Sequence, residues 1–330
     1  MSRPARRSLL ATAATAALAV GLTACSSSPQ ESADSPAADQ DPVVVLHAPI
    51  SYEPLYIAEQ EGYFEEAGVE VDIRPGGAPQ DNLAQAMGGS ADIITAAWDT
   101  MAISTAEGMP VSIVAGNSVI GDEVDTSGLV VRADSGITSL KDLQGSTVAF
   151  DSVGAGGTVE FYSALAEAGL TPEDVTVAAV PYAGMGSSLE QGQVAAVFPS
   201  EPFYTPLAQD PENTVLANPV RETRAGVPVT LWAATDQWLQ ENPEQAEAFV
   251  QALEKAVEFY EDPANLEAVK KIRAEVTQVP VEEVSEVLPP LQLAIDETAG
   301  QAANDQLHEF DRIDRQLPVS EFVWEGAPRT

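Results

Sequence analysis

Short apolar runs alternate with longer amphipathic stretches from residue 43 onward. Residues 43–46 form a continuous apolar run, which predicts a buried strand, and Val69, Val71 and Ile73 alternate with polar residues, which predicts a second strand. The stretch 54–68 between them starts with proline and ends with glycine, as a helix commonly does. Strands that alternate with helices are typical of an α/β fold.

The same order of elements occurs twice along the chain. A helix, a strand, a helix and a strand follow one another up to residue 94, and Gly89 comes 21 positions after Gly68. They do so again up to residue 198, and Gly192 comes 23 positions after Gly169. A repeat of this kind predicts two related lobes rather than one extended sheet.

Two β-rich runs, 129–131 and 229–233, lie on either side of the second repeat and predict the two strands of a hinge. The chain after Thr235 is mostly helical in pattern, and a proline helix start near residue 243 opens an apolar stripe. We therefore expect a divided first lobe. The expected organisation is a signal peptide at 1–24, a flexible linker at 25–42, lobe 1 at 43–130 and 230–330, and lobe 2 at 131–229.

The first residues have the pattern of an export signal. A basic start with three arginines precedes an uncharged, mostly apolar run at 9–22, which is short for a membrane span. Leu22-Thr23-Ala24-Cys25 then resembles a bacterial lipobox, which implies cleavage before Cys25 and diacylation of its thiol. A buried structural cysteine is the alternative. The pair Arg6-Arg7 leaves open whether export uses the general or the twin-arginine route.

Composition and charge narrow the possible partners. The chain has 330 residues, is 45% apolar and carries a formal charge of −36. Loss of 1–24 removes three arginines and no acid, which gives −39 for the mature chain. Such a charge disfavours nucleic acid and anionic membrane surfaces as partners. One cysteine and two histidines exclude a disulfide framework, a cysteine-rich zinc site and an iron–sulfur cluster, and we expect no metal and no cofactor.

Several motifs resemble one known family. Residues 54–71 read PLYIAEQEGYFEEAGVEV, and 88–93 (GGSADI), 139–149 (SLKDLQGSTVA), 190–194 (EQGQV) and 201–203 (EPF) follow in order. This pattern resembles the solute-binding proteins of the nitrate/sulfonate/taurine and thiamine-precursor type that feed ABC importers. The resemblance implies a two-lobed periplasmic-binding-protein fold of type II with two hinge strands, in which one ligand closes the lobes.

The same resemblance implies a function and a location. The protein would be a monomeric, lipid-anchored binding component on the extracytoplasmic face of the membrane, with an ABC permease and its ATPase as partners, and not an enzyme. The chain departs from the sulfonate-binding pattern at 151–158, where serine- and threonine-rich turns are usual, and at Ser200, where tryptophan is usual. The class of ligand is therefore left open between sulfonate-type and thiamine-pyrimidine-type solutes.

Ligands of open α/β sheets bind at the carboxyl ends of the strands, where helix N-termini supply donors. Applied to the predicted strands, this rule selects aromatic residues for stacking, above all Trp98, and polar residues and glycine amides for hydrogen bonds. The candidate ligand-binding residues are Ser51, Tyr52, Gln80, Thr95, Trp98, Asp99, Asn117, Ser152, Gly156, Gly157, Thr158, Tyr182 and Glu201.

The charges of these loops suggest the kind of ligand. They contain acids, including Asp81 and Asp151, but no lysine or arginine; Arg74 stands just outside, and Glu160 is expected on the surface. For Asp81 and Asp99, capping a helix is as good an interpretation as ligand contact. An excess of carboxylates favours a ligand with cationic or N–H donor character, such as a zwitterion or an amino-heterocycle.

Two other functions remain open. A thiamine-pyrimidine synthase of the same fold would need a reactive histidine and a cysteine-rich motif, whereas this chain has His47, His308 and Cys25 alone. His47 ends the first strand and could reach the cleft, although a histidine in the core is the plainer interpretation. A lipid-anchored sensor ectodomain that presents its ligand to a partner is the third possibility.

Overall fold

The computed structural model describes residues 41–120, 125–153, 157–224 and 226–330, with the backbone alone for 222–223. The expected signal peptide, the expected lipidation site Cys25 and most of the expected linker lie outside the described residues, as does the predicted ligand residue Gly156. Within the described ranges, no helix combines the length and the apolar character needed to cross a membrane.

In the described residues, ten strands form two five-stranded sheets. The strands are β1 (Val43–His47), β2 (Val71–Pro75), β3 (Ile93–Ala96), β4 (Val111–Val119), β5 (Leu129–Arg132), β6 (Thr147–Phe150), β7 (Thr176–Ala179), β8 (Ala196–Val197), β9 (Asn213–Ala217) and β10 (Pro228–Thr235). The order is β2-β1-β3-β10-β4 in the first sheet and β7-β6-β8-β5-β9 in the second. We name lobe 1 and lobe 2 after these two sheets.

Helices cover both sheets. They are α1 (Glu53–Gln60), α2 (Tyr63–Ala67), α3 (Pro79–Met87), α4 (Trp98–Ala106), α5 (Thr158–Glu167), α6 (Tyr182–Glu190), α7 (Tyr204–Gln209), α8 (Pro219–Thr223), α9 (Asp236–Glu241), α10 (Pro243–Glu261), α11 (Leu266–Thr277) and α12 (Glu297–Glu309). This architecture confirms the predicted two-lobed α/β fold class.

The two sheets are built on one plan, as the repeat in the sequence predicts. In lobe 1, β1 lies between its parallel neighbours β2 and β3, and β10 pairs antiparallel with β3. In lobe 2, β6 lies between its parallel neighbours β7 and β8, and β5 pairs antiparallel with β8. That antiparallel strand is β10 in lobe 1 and β5 in lobe 2, and each directly follows a passage of the chain from the other sheet. The two strands expected at the hinge are therefore the first strands reached after each crossing.

The inner parallel strands β1, β3, β6 and β8 are mostly buried, which explains their apolar runs, whereas the edge strands β2 and β7 are partly exposed. Val45 of β1 pairs in register with Ile73 of β2 and Ile93 of β3. Val45 and Ile93 are buried completely. Apolar clusters pack on each face of both sheets, and the cluster of lobe 1 that contains α10 also holds the ring pair Phe64–Phe249, whose centroids are 5.8 Å apart.

The helix expected over 54–68 is two helices. Gly62 has a φ of +78°, a left-handed conformation that ends α1 and lets α2 start in a new direction. Gly68 ends α2 in the same conformation, as its position in the sequence predicts. The break lets both α1 and α2 pack against the long helix α10.

Candidate ligand-binding cleft

A cavity of about 780 Å³ lies between the lobes. Its walls are the segments that follow the parallel strands β1, β2 and β3 in lobe 1 and β6, β7 and β8 in lobe 2. Residues between α8 and β10, where the chain returns from lobe 2 to lobe 1, also line the cavity. A volume of this size suits a small organic molecule.

The cavity includes some of the predicted ligand residues and not others. Those that line it are Gln80, Thr95, Trp98, Asp99, Ser152, Gly157 and Tyr182. Those that do not line it are Ser51, Tyr52, Asn117, Thr158 and Glu201, and all five are buried in the protein around it. Gly156 lies outside the described residues.

Ser51 and Asn117 support the wall from behind. The Asn117 side-chain amide donates to the Ser51 carbonyl at 2.8 Å and to the Thr230 hydroxyl at 3.1 Å. The Ser51 hydroxyl donates to the Ser118 hydroxyl at 2.9 Å. Thr230 itself lines the cavity, so this network fixes the position of a wall residue in β10.

The expectation that Trp98 offers a stacking face is wrong. Its side chain is 1% exposed, and the indole N–H donates to Asn304 Oδ1 of α12 at 2.9 Å. The ring also meets Phe322 edge-on, with centroids 5.3 Å apart. Trp98 begins α4 and its ring points into the core under the C-terminal helix, because an indole buried there gains both apolar contacts and a hydrogen-bond acceptor.

Tyr52 and Glu201 belong to the protein interior. Tyr52 packs against His47 and Tyr56, and burial raises the pKa of its hydroxyl. The Thr205 hydroxyl donates to Glu201 Oε1, and burial raises the pKa of that carboxyl. Both residues lie near strand ends, but neither lines the cavity.

An arginine occupies the cleft, contrary to the expectation that no cation would lie there. Arg224 follows α8, lines the cavity and is 6% exposed. Its Nη1 lies 2.6 Å from Asp99 Oδ1 in lobe 1, and its Nε forms an ion pair with Glu160 Oε1 in lobe 2. Arg224 therefore joins a carboxylate of each lobe across the cleft.

The same ion pairs correct the expectation for Glu160. Its side chain is 1% exposed and lines the cavity, rather than lying on the surface. Burial raises the pKa of Glu160, and the charge of Arg224 opposes that rise. Burial opposes protonation of Arg224, but the charges of Asp99 and Glu160 hold its pKa above the ordinary value.

A second polar group lies on the lobe 2 wall. Burial raises the pKa of Asp151 to about 6, and hydrogen bonding to Tyr182 and Ser152 opposes the rise. The pKa of the Tyr182 hydroxyl is raised well above its ordinary value by burial and then by the charge of Asp151. Tyr182 stacks on Phe203, with centroids 6.2 Å apart, so its ring is held in place.

His47 does not line the interlobe cavity. Its Nδ1 lies 2.8 Å from the Ala48 carbonyl and its Nε2 lies 2.9 Å from the Tyr56 hydroxyl. Burial lowers its pKa, so the neutral ring donates from Nδ1 and accepts the Tyr56 hydroxyl at Nε2. Both nitrogens are used in holding the end of β1.

Reasoning from strand ends missed Arg224 because this residue does not follow a parallel strand. It lies in the segment that returns from lobe 2 to lobe 1. In a two-lobed fold that segment passes along the cleft, so the sequence signal was the two arginines, Arg221 and Arg224, just before the predicted hinge strand.

Comparisons with known proteins agree with this fold. The family model described as NMT1/THI5 like matches residues 50–265. The alkanesulfonate-binding protein SsuA from Xanthomonas axonopodis pv. citri, solved with MOPS bound, superposes with a TM-score of 0.73 at 20% identity. That superposition covers 87% of this chain and 99% of SsuA.

Two curated relatives have different descriptions. The 4-amino-5-hydroxymethyl-2-methylpyrimidine phosphate synthase of Schizosaccharomyces pombe is 28% identical over 123 residues, which is 37% of this chain and 34% of the enzyme. This chain therefore matches about a third of the enzyme's length. The putative binding protein YtlA of Bacillus subtilis is 23% identical over 233 residues, covering 70% of this chain and 69% of YtlA.

Proposed function

This chain belongs to the NMT1/THI5-like family, and from that premise we propose that it is the substrate-binding component of an ABC importer. It captures a small nitrogen- or sulfur-containing organic solute, of the sulfonate and nitrate type or the thiamine-pyrimidine type, and delivers it to a membrane permease. The observation that carries the proposal is the cavity of about 780 Å³ with walls from both lobes. A ligand bound there contacts both lobes at once.

A cavity with walls from both lobes allows the protein to capture a solute by closing around it. The open protein admits the solute, and the solute binds the closed form better because only that form completes its contacts with both lobes. Binding therefore shifts the population toward closure. The closed protein docks on the permease, and ATP hydrolysis on the other side of the membrane drives release.

Residues 1–25 support an extracytoplasmic, lipid-anchored location. A basic start, an apolar run and Leu-Thr-Ala-Cys are the parts of a lipoprotein signal, and the polar tract after Cys25 would tether the binding body to the membrane surface. We propose that the protein acts there as a monomer.

The alternative is an enzyme of the same fold, and it is favoured by the Schizosaccharomyces pombe relative, a pyrimidine phosphate synthase. Such chemistry would call for a reactive group in the cleft. His47 lies outside the cavity and its two nitrogens are occupied, which favours binding over catalysis.

Ligand binding is tested by thermal shift with the mature, unlipidated protein against taurine, alkylsulfonates, nitrate, polyamines and thiamine pyrimidines. A ligand at 100 times its Kd adds about 2.7 kcal/mol to the stability of the folded state, and so raises Tm. Small-angle scattering of the same samples should show a smaller radius of gyration with the best ligand. Chromatography of the recovered ligand should return it unchanged, whereas a converted product would establish the enzyme.

A further inference from the structure

Among the buried polar atoms of the residues that line the cleft, two have opposite hydrogen-bonding character. Nη2 of Arg224 is a donor, and it has no hydrogen-bond partner within the described part of the chain. Oδ1 of Asp151 is an acceptor, and it too is without a partner among the described residues. Both side chains line the same interlobe cavity.

Neither atom can turn easily to another partner. Arg224 is held by its ion pairs to Asp99 and Glu160, which use Nη1 and Nε and leave Nη2 as the remaining donor end. Asp151 is held from its own lobe by hydrogen bonds to Tyr182 and Ser152. A buried polar atom without a partner is destabilising, and a ligand that supplies the partner recovers the lost interaction.

The charges of the cavity act against a simple anion. Four acids line it, Asp81, Asp99, Asp151 and Glu160, against the single arginine Arg224 among the described lining residues. An anion would satisfy Arg224, but it would leave Asp151 without a donor and would face the remaining carboxylates. Apolar groups such as Ile50, Phe198, Val220 and Val227 form much of the other surface.

Resting on the proposed function, we propose that Arg224 and Asp151 together select solutes whose polar end combines a hydrogen-bond acceptor with an N–H donor. Nη2 of Arg224 donates a hydrogen bond to the acceptor of the solute, and Oδ1 of Asp151 accepts one from its N–H group. Amino-substituted nitrogen heterocycles and zwitterionic amino solutes have this pairing. Nitrate and unsubstituted alkylsulfonates do not.

Pairs of ligands that differ only in an amino group test the role of the N–H donor. Taurine and ethanesulfonate share the sulfonate and the carbon chain and differ in the amino group, and 4-aminopyrimidine and pyrimidine differ in the same way. Isothermal titration of the mature protein should give at least one pair in which the amino member binds 10-fold or more tightly. Equal or tighter binding of ethanesulfonate, pyrimidine or nitrate would overturn the selection.

Variants then identify the residues. Asp151→Asn should bring the affinity ratio of the preferred pair to within about threefold of one, while Asp134→Asn, at an exposed acid of lobe 2 that does not line the cavity, should keep the ratio. Arg224→Lys should weaken both members, because it keeps the charge but loses the donor fork. If Asp151→Asn leaves the affinity ratio of the preferred pair unchanged, the proposed role of Asp151 is overturned.

The two proposals fail in different ways. A wild-type protein that binds and compacts around a solute without an amino group remains a solute-binding protein, and only the selection is overturned. A protein that binds no solute of the panel, by titration or thermal shift, contradicts the proposed function itself.

Discussion

Replacement of Gly300 by alanine should destabilise the protein, although the same replacement in a helix usually stabilises it. Gly300 lies in α12, and a Cβ added there would stand 2.4 Å from Cη2 and 2.5 Å from Cζ2 of Trp98. Glycine to alanine in a helix normally adds about 0.5–1 kcal/mol of stability. Here the indole cannot move easily, because Asn304 holds its N–H and Phe322 packs on the ring.

The expected change in the free energy of unfolding follows from the gain in helix propensity and the opposing cost of overpacking. Overpacking a well-packed core costs about 1–3 kcal/mol, which exceeds the gain in helix propensity. Gly300→Ala should therefore lower the free energy of unfolding by about 1–2 kcal/mol, measured by urea denaturation with far-UV circular dichroism. Gly184→Ala is the matched control, since the nearest atom to its added Cβ is Val180 Cγ1 at 3.5 Å, an ordinary contact.

A second variant ties the effect to Trp98. Trp98→Phe removes the part of the ring that the new methyl group meets, so the double variant should cost less than the sum of the two single changes. The reasoning would be refuted if Gly300→Ala were as stable as the parent, or if the two changes were additive. Either result would mean that the Trp98 ring does not lie under α12.

Three further predictions concern charge and anchoring. Burial raises the pKa of Asp151 from 3.8 to about 6, so the free energy of unfolding of the parent should fall as the pH rises from 4 through 6, by up to about 3 kcal/mol. Asp151→Asn should abolish this fall in urea titrations at pH 4 and 7.5, whereas the control Asp81→Asn should keep it. Arg273→Met should cost about 3–5 kcal/mol, since it leaves buried Glu53 without its ion pair at 2.6 Å, and adding Glu53→Leu should restore part of this. Cys25→Ala should abolish fatty-acid labelling of the protein expressed in a bacterial host.

The sequence predicted the fold because the apolar runs of the strands and the glycines that end the helices are both local patterns. The runs at β1 and β6 are long enough to indicate buried strands, and the glycines that end the helices recur at similar spacing in both lobes. The pairing of β10 between β3 and β4 is not local, and its place in the sheet became evident only in the structure. The strand β9 and the short helices α7 and α8 had no pattern that we interpreted.

The cleft was predictable in outline but not in the direction of its side chains. Gln80, Thr95 and Ser152, which the strand-end rule selects, line the cavity. Whether an aromatic ring at a strand end faces the cleft depends on what packs behind it. Trp98 turns inward because Asn304, 206 residues further along the chain, accepts its N–H. No local pattern reports such a partner.

The position of β10 has a consequence for the order in which the two lobes are completed during synthesis. All five strands of the second sheet lie within residues 129–217, whereas the first sheet stays divided until residues 228–235 have been made. Until then the edges of β3 and β4 lack the strand that pairs with both of them. A growing chain therefore contains every strand of lobe 2 before it contains every strand of lobe 1.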